Sequence, residues 1–417
     1  MKLSCLIASL VLSISTTAHA QQDAAQLGGR LLQTAAVKAA VDAIRAAEPQ
    51  TIEDQIRLCE VEAPPFKEGK RAQLYAQMFK EAGLTSVRID KEGNVLGEKR
   101  GSQPRPHLIF SAHLDTVFPE GTNVAVKREG AVLRGPGIGD DCRGLAVVLA
   151  VARAMIKGSI QTPGTITFVG TVGEEGLGDL RGVKYLFREG LKGQIDRFVS
   201  IDGTGLGITH IAVGSLRYRI TFKGPGGHSY GAFGLVNPIH ALGRAMARIA
   251  DFEVAREPKT TFNVGRIGGG TSVNAIPFEA WAEVDMRSAD AASLQSLDAK
   301  FHKALDEAVV DENARWGGRQ LTVDRTVVGN RPAGRTAADA PIVLAAVGAT
   351  KALGLPVTLD EGSTDSNIPM NLAIPAITID GGGRGTGAHA LNEVFDTTNS
   401  WQGSQRALLI AIALAQQ

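Results

Sequence analysis

Leu108-Ile-Phe-Ser-Ala-His113-Leu-Asp115-Thr-Val117 is an apolar run ending in a histidine and an aspartate two positions apart. Read as a buried strand, Leu108 to Ala112 delivers His113 and Asp115 at its C-terminal end on the same side, because strand side chains alternate. An imidazole beside a carboxylate is what a metal ligand needs. One ring nitrogen coordinates, and the acid takes the other N–H and fixes tautomer and aim. Taken alone, His-x-Asp is explained as well by a strand-end pair with no catalytic task. Three later stretches decide against that.

With 417 residues the chain exceeds one ordinary core, which predicts two domains. Hydrophobic content of 44% and charged content of 21% are those of a soluble globular protein. A net charge of +1 without a basic block argues against nucleic acid or an anionic membrane as the main partner. Residues 1–20 read as a signal peptide: Lys2, a short apolar core from Leu3 to Ile14, and Ala18-His19-Ala20 before Gln21. The expected address is therefore exported, periplasmic or secreted. Cys59 and Cys142 remain after cleavage, and a bridge and two free buried thiols both stay open.

Ala35 to Ala47, Lys67 to Ala82 and Arg143 to Lys157 read as helices, with short strands around Val87 and Val95. Gly164 to Thr171 and Phe198 to Ile201 are apolar strands that run into Glu174-Glu175 and Asp202. Alternating strands and helices with acids at strand ends describe an α/β sheet with a site along one edge. From Ile211 to Asp324 the pattern becomes α+β, with helices Pro238 to Ala250 and Ala289 to Val309 among strands. The α/β pattern resumes with helices Ala338 to Leu353 and Trp401 to Leu414 around the strand Ile374 to Ile379.

Gly135-Pro-Gly-Ile-Gly-Asp140-Asp141 puts two acids after a glycine-rich loop and before a buried helix. An N-cap aspartate accounts for one of them. Thr171-Val-Gly-Glu174-Glu175 brings two adjacent carboxylates to a strand end, where joint ionisation needs a cation or a shared proton. His389 lies in another glycine-rich loop, Gly387-Ala-His389-Ala-Leu-Asn-Glu393. Together His113, Asp140, Glu175, Asp202 and His389 form an imidazole–carboxylate set that suits zinc better than calcium or magnesium.

In this order the motifs resemble the co-catalytic metallopeptidase superfamily of peptidase T, carboxypeptidase G, acetylornithine deacetylase and the aminoacylases. Gly224-Pro-Gly-Gly-His228-Ser, Asn274-Ala-Ile-Pro and Asp285-Met-Arg287 are similar to its inserted domain. The resemblance implies an α/β zinc-exopeptidase-type catalytic domain, a mixed central sheet flanked by helices, over 21–210 and 326–417. An α+β lid/dimerisation domain is inserted at 211–325. It implies two zinc ions per chain, replaceable by Co2+ or Mn2+, bridged by Asp140. His113 and Asp202 would complete one metal, and Glu175 and His389 the other. Asp115 would orient His113, Glu174 would be the general base, and a cis peptide would join Asp140 to Asp141. Asn274 and Arg287 would bind the substrate carboxylate, against a plain Arg287–Asp285 or Arg287–Glu283 ion pair. Arg384 is either a third such contact or a solvated loop charge. His228 would act across a homodimer.

The chain departs from the family at Cys142-Arg143 and in the loop Glu361-Gly-Ser-Thr-Asp365, which is expected to face substrate. The expected function is hydrolysis of terminal amide bonds of short peptides. The same chemistry on N-acyl amino acids is the close alternative. A non-catalytic binding protein on this scaffold would have no reason to retain Glu174.

Overall fold

The computed structural model describes residues 22–318 and 320–416, so the expected signal at 1–20 lies outside the described residues. The chain divides into two compact units, Met1–Ala212 with Arg335–Gln417, and Val213–Gly334.

In the first unit a mixed sheet runs in the order Thr85–Ile89, Val95–Lys99, Thr165–Thr171, His107–His113, Arg197–Ile201, Ala376–Ile379 and Gly207–Ala212. His107–His113 is parallel to both neighbours, with His113 opposite Thr171 and Ser111 opposite Ser200. That register brings His113, the acids after Thr171, and Asp202 after Ile201 to one edge. This is the carboxyl end where α/β sheets bind ligands.

Both faces are covered. Leu108, Phe110 and Ala112 share one core with residues of the helices Cys142–Lys157 and Trp401–Leu414, while Ile109, Val169 and Phe198 share another with Leu180, Val183 and Ile368. Doubly buried strands have no polar face, which is why these read as unbroken apolar runs.

The helix Glu48–Cys59 lies outside the expected set. Its buried face carries Glu48, Thr51, Asp54 and Gln55 beside Ile52, Leu58 and Cys59. The acids meet the buried neighbour helix: Arg143 pairs with Glu48 at 2.9 Å, and Arg153 pairs with Asp54. Gln55 Nε2 donates to the carbonyl of Ile138 at 2.6 Å. Also unforeseen is a small antiparallel sheet of Arg384–Thr386, Val394–Asp396, Val132–Arg134 and Lys127–Glu129. Strands of three residues are too short to show alternation.

The second unit is a four-stranded antiparallel sheet in the order Thr260–Gly269, Glu279–Ser288, Gly214–Lys223 and Thr322–Arg331. Alternation is strict along Glu279–Ser288, where Ala280, Ala282, Val284 and Met286 are buried. They pack with residues of the helices Pro238–Ala250 and Ala291–Arg315. The second helix runs past the expected Val309 because Glu312 is fully buried within it, accepting N–H groups from Asn237 at 2.9 Å and the Trp316 indole at 3.0 Å.

Arg143 is fully buried and also donates to the carbonyls of Gly381 and Ser400, at 2.8 and 2.7 Å. Replacing one partner of a buried pair strands the other's charge. Arg143→Ala is therefore expected to lower unfolding free energy by about 3–5 kcal/mol in urea denaturation. The double change Arg143→Met with Glu48→Met is expected to lower it by less.

Candidate metal centre

His113 closes its strand with its ring held at both nitrogens. Nδ1 donates to the carbonyl oxygen of Asp115 at 3.0 Å, so Nε2 is the ring nitrogen that faces inward. Nε2 lies 3.0 Å from Asp140 Oδ1 and 4.0 Å from Asp202 Oδ1. The other Asp140 oxygen, Oδ2, lies 3.1 Å from His389 Nε2, which is 3.0 Å from Glu175 Oε1. One carboxylate is thus divided between two imidazoles. Among the described residues, His113 with Asp140 and Asp202, and Asp140 with Glu175 and His389, form groups whose ligand atoms lie within 4.8 Å of one another. His113, Glu174 and Glu175 form a third such group.

Each member is positioned by backbone contacts. Asp140 and Asp141 are joined by a cis peptide, and the two side chains divide the work. Asp141 caps the helix Cys142–Lys157 by accepting the Gly144 N–H at 3.0 Å and takes the His113 N–H at 2.9 Å. Asp140 is left to the cluster. Asp115 is fully buried, and its carboxylate accepts the N–H groups of Glu174 and Glu175 at 3.0 and 2.8 Å. It therefore aims the glutamate pair directly, while its carbonyl rather than its carboxylate is the nearer partner of His113. His389 sits at φ 67°, a left-handed conformation unusual for a residue with a side chain, and its side chain is 56% exposed.

The field at this edge is strongly negative. Burial disfavours an imidazolium at His113, yet Asp141, Asp115, Asp140 and Asp202 outweigh it and hold the ring's pKa well above the usual histidine range. Hydrogen bonds to Asp140 and Glu175 raise that of His389 to about 10. Burial, with Asp140, Glu175 and Asp365 adding, pushes Asp202 up to about 7 against the pull of His113. Such a pocket is built for cations. Neutral imidazoles with carboxylates around divalent ions meet the same field, and this donor set fits zinc-type ions.

The other candidates lie elsewhere. Arg384 is exposed on its short strand opposite Asp396, beside a cleft lined by Asp360 and Asp380 rather than by the imidazoles. The loop expected to face substrate is partly interior: Thr364 and Asp365 are buried, and Thr171 Oγ1 donates to Asp365 Oδ2 at 2.5 Å. Cys59 and Cys142 are free thiols, buried side by side with Ile52, Ile138 and Phe395, so Cys142 packs.

In the second unit, His228 pairs with Ala275 across a two-residue ladder, which brings it next to Asn274. Asn274 Oδ1 accepts from Ser272 Oγ at 2.6 Å. Arg287 Nε donates to Asp285 at 2.7 Å, one of the ion pairs expected as the plain alternative, whereas Glu283 is held by Arg219 and Arg266. Gly227-His-Ser-Tyr-Gly231 has the Gly-x-Ser-x-Gly spacing of a serine nucleophile elbow. It leaves a strand for a turn rather than a helix, and so is no elbow.

The family model for peptidase family M20/M25/M40 matches residues 109–412. The Bacillus subtilis protein YqjE is 25% identical over 352 residues, 80% of this chain and 90% of its own length. Succinyl-diaminopimelate desuccinylase of Bordetella avium is 27% identical over 274 residues, 61% of this chain and 72% of its own. Bacillus subtilis YxeP, described as a dinuclear metal binding peptidase from the M20 family, shares the fold with a TM-score of 0.66 at 19% identity, over 89% of this chain and 100% of that one. The family match runs from the strand that ends in His113 past the loop of His389, and on that span the chain belongs to peptidase family M20/M25/M40, a family of hydrolases.

Proposed function

We propose that the protein is an exported exopeptidase that hydrolyses terminal amide bonds of short peptides at a pair of zinc ions. The observation that carries this is the Asp140 carboxylate, one oxygen 3.0 Å from His113 and the other 3.1 Å from His389, with a Glu174 carboxylate oxygen within 4.8 Å of a His113 ring nitrogen. His113 and Asp202 would hold one metal, Glu175 and His389 the other, with Asp140 between. Bound metal ions at such a site polarise the scissile carbonyl and acidify water. Glu174 takes the proton from the attacking water and returns it to the leaving nitrogen. Asp115 keeps that carboxylate on line by gripping the Glu174 and Glu175 N–H groups.

The similarity to succinyl-diaminopimelate desuccinylase supports a second reading, an N-acyl amino acid amidohydrolase with the same residues in the same roles. In either case Arg287 and Asn274 are the proposed contacts for the substrate carboxylate.

The reading also includes a homodimer in which His228 serves the neighbouring subunit's centre. His228 Nδ1 accepts the N–H groups of Tyr230 and Gly231, at 3.3 and 3.2 Å, which places the ring proton on Nε2. A histidine exposed on a turn and fixed as a donor suits a developing oxyanion.

Glu174→Ala is expected to keep the metal and lower kcat about 10²–10⁴-fold, whereas Glu175→Ala is expected to lose metal. The reverse pattern in metal analysis would exchange their roles. Chelation should abolish activity and added Zn2+ restore it. Hydrolysis rates on di- and tripeptides against N-acetyl and N-succinyl amino acids then separate the two substrate classes. For the dimer, mixing inactive His228→Ala with inactive Glu174→Ala subunits should restore activity. A fully active monomer by light scattering would exclude the shared site.

A further inference from the structure

We propose that Glu393 is a positioning residue that ties together the two loops carrying Asp140 and His389, so that these side chains are aimed as a pair. The inference rests on the dinuclear reading above. Glu393 is 2% exposed and ends the loop that begins Gly387-Ala-His389. Its Oε1 accepts the N–H groups of Gly139 at 2.8 Å and of Asp140 at 3.0 Å, and its Oε2 accepts that of Gly137 at 3.0 Å. Its backbone carbonyl takes the Gly135 N–H at 3.0 Å. The glycine-rich loop thus presents a concave row of donors, and a carboxylate from the histidine loop fills it.

The fit leaves no slack. A Cβ on Gly139 would come within 2.9 Å of Glu393 Oε1 and within 2.9 Å of Thr204 Cγ2. The histidine loop is also closed on itself: the Glu393 N–H donates to Ala390 at 3.1 Å, and the Ala390 N–H to Gly387 at 2.9 Å. A shift of Glu393 therefore moves His389 with its loop and loosens the Asp140 backbone at the same time. A buried carboxylate with three N–H donors is well satisfied, so the tie is rigid. Glu393 bonds to the backbone of Asp140 and to no reacting atom. It acts through the ligands.

The test strips the full-length protein of metal and titrates Zn2+ against a chromophoric chelator. Glu393→Gln keeps the shape but turns one acceptor oxygen into an N–H donor facing N–H groups. It is expected to weaken uptake of at least one of two Zn2+ by about 10–100-fold, the usual effect of losing a support behind a metal ligand. The variant's kcat should fall with KM little changed, and raised Zn2+ should recover activity. Gly139→Ala, which pushes on the same carboxylate, should change affinity in the same direction. Two Zn2+ bound at wild-type affinity in both variants would overturn the proposal. So would unfolding of both metal-free variants by circular dichroism, which would make the tie purely structural. Fewer than two Zn2+ on the wild-type chain would instead remove the dinuclear reading, and the inference with it.

Discussion

Everything at the sheet edge answers to one constraint, the crowding of buried negative charge around Asp140. Asp141, Asp202 and Glu175 surround it, with Asp365 beyond. Such a group cannot ionise together unless cations or donors are interleaved. The fold supplies donors wherever a carboxylate is not meant for the centre. Asp115 faces two backbone N–H groups and Asp141 faces two more. The carboxylates that point at the imidazoles are left to those rings. Function is thus written as a residue of charge that the backbone declines to neutralise.

A second device recurs away from the site. Arg71, Arg143 and Arg406 are fully buried, and each spends its guanidinium largely on carbonyl oxygens. Arg71 reaches Val61, Leu114 and Cys59. Arg143 reaches Gly381 and Ser400, and Arg406 reaches Leu206 and Asp380. These carbonyls lie in loops at helix and strand ends, where no ladder partner exists. A planar fork of five donors suits that work better than an ammonium. The loops that present Asp202 and follow the strand Ala376–Ile379 are held in this way.

Much of this was legible in the chain. Strands buried on both faces announce themselves as apolar runs, and the residue after each run is where an α/β sheet keeps its chemistry. His113, Glu175 and Asp202 follow from that logic, and the structure brings them together with Asp140 and His389. The helix Glu48–Cys59 mixes Glu48 and Asp54 with Ile52, Leu58 and Cys59 on its inner face, and the facing arginines make those acids buriable. Glu393 looked like the end of a histidine loop, since its partners are backbone groups of a distant glycine-rich stretch. The Asp115 carboxylate, expected beside His113, lies 3.7 Å from its Nδ1 and also accepts the N–H groups of the glutamate pair. Contacts from a side chain to remote backbone leave no trace in residue spacing.

The two imidazoles differ sharply in shelter: the His113 side chain is 2% exposed and that of His389 56%. Solvent therefore reaches the His389 imidazole directly and is kept from the His113 ring, so a small reagent added to the medium meets the His389 side of the site first.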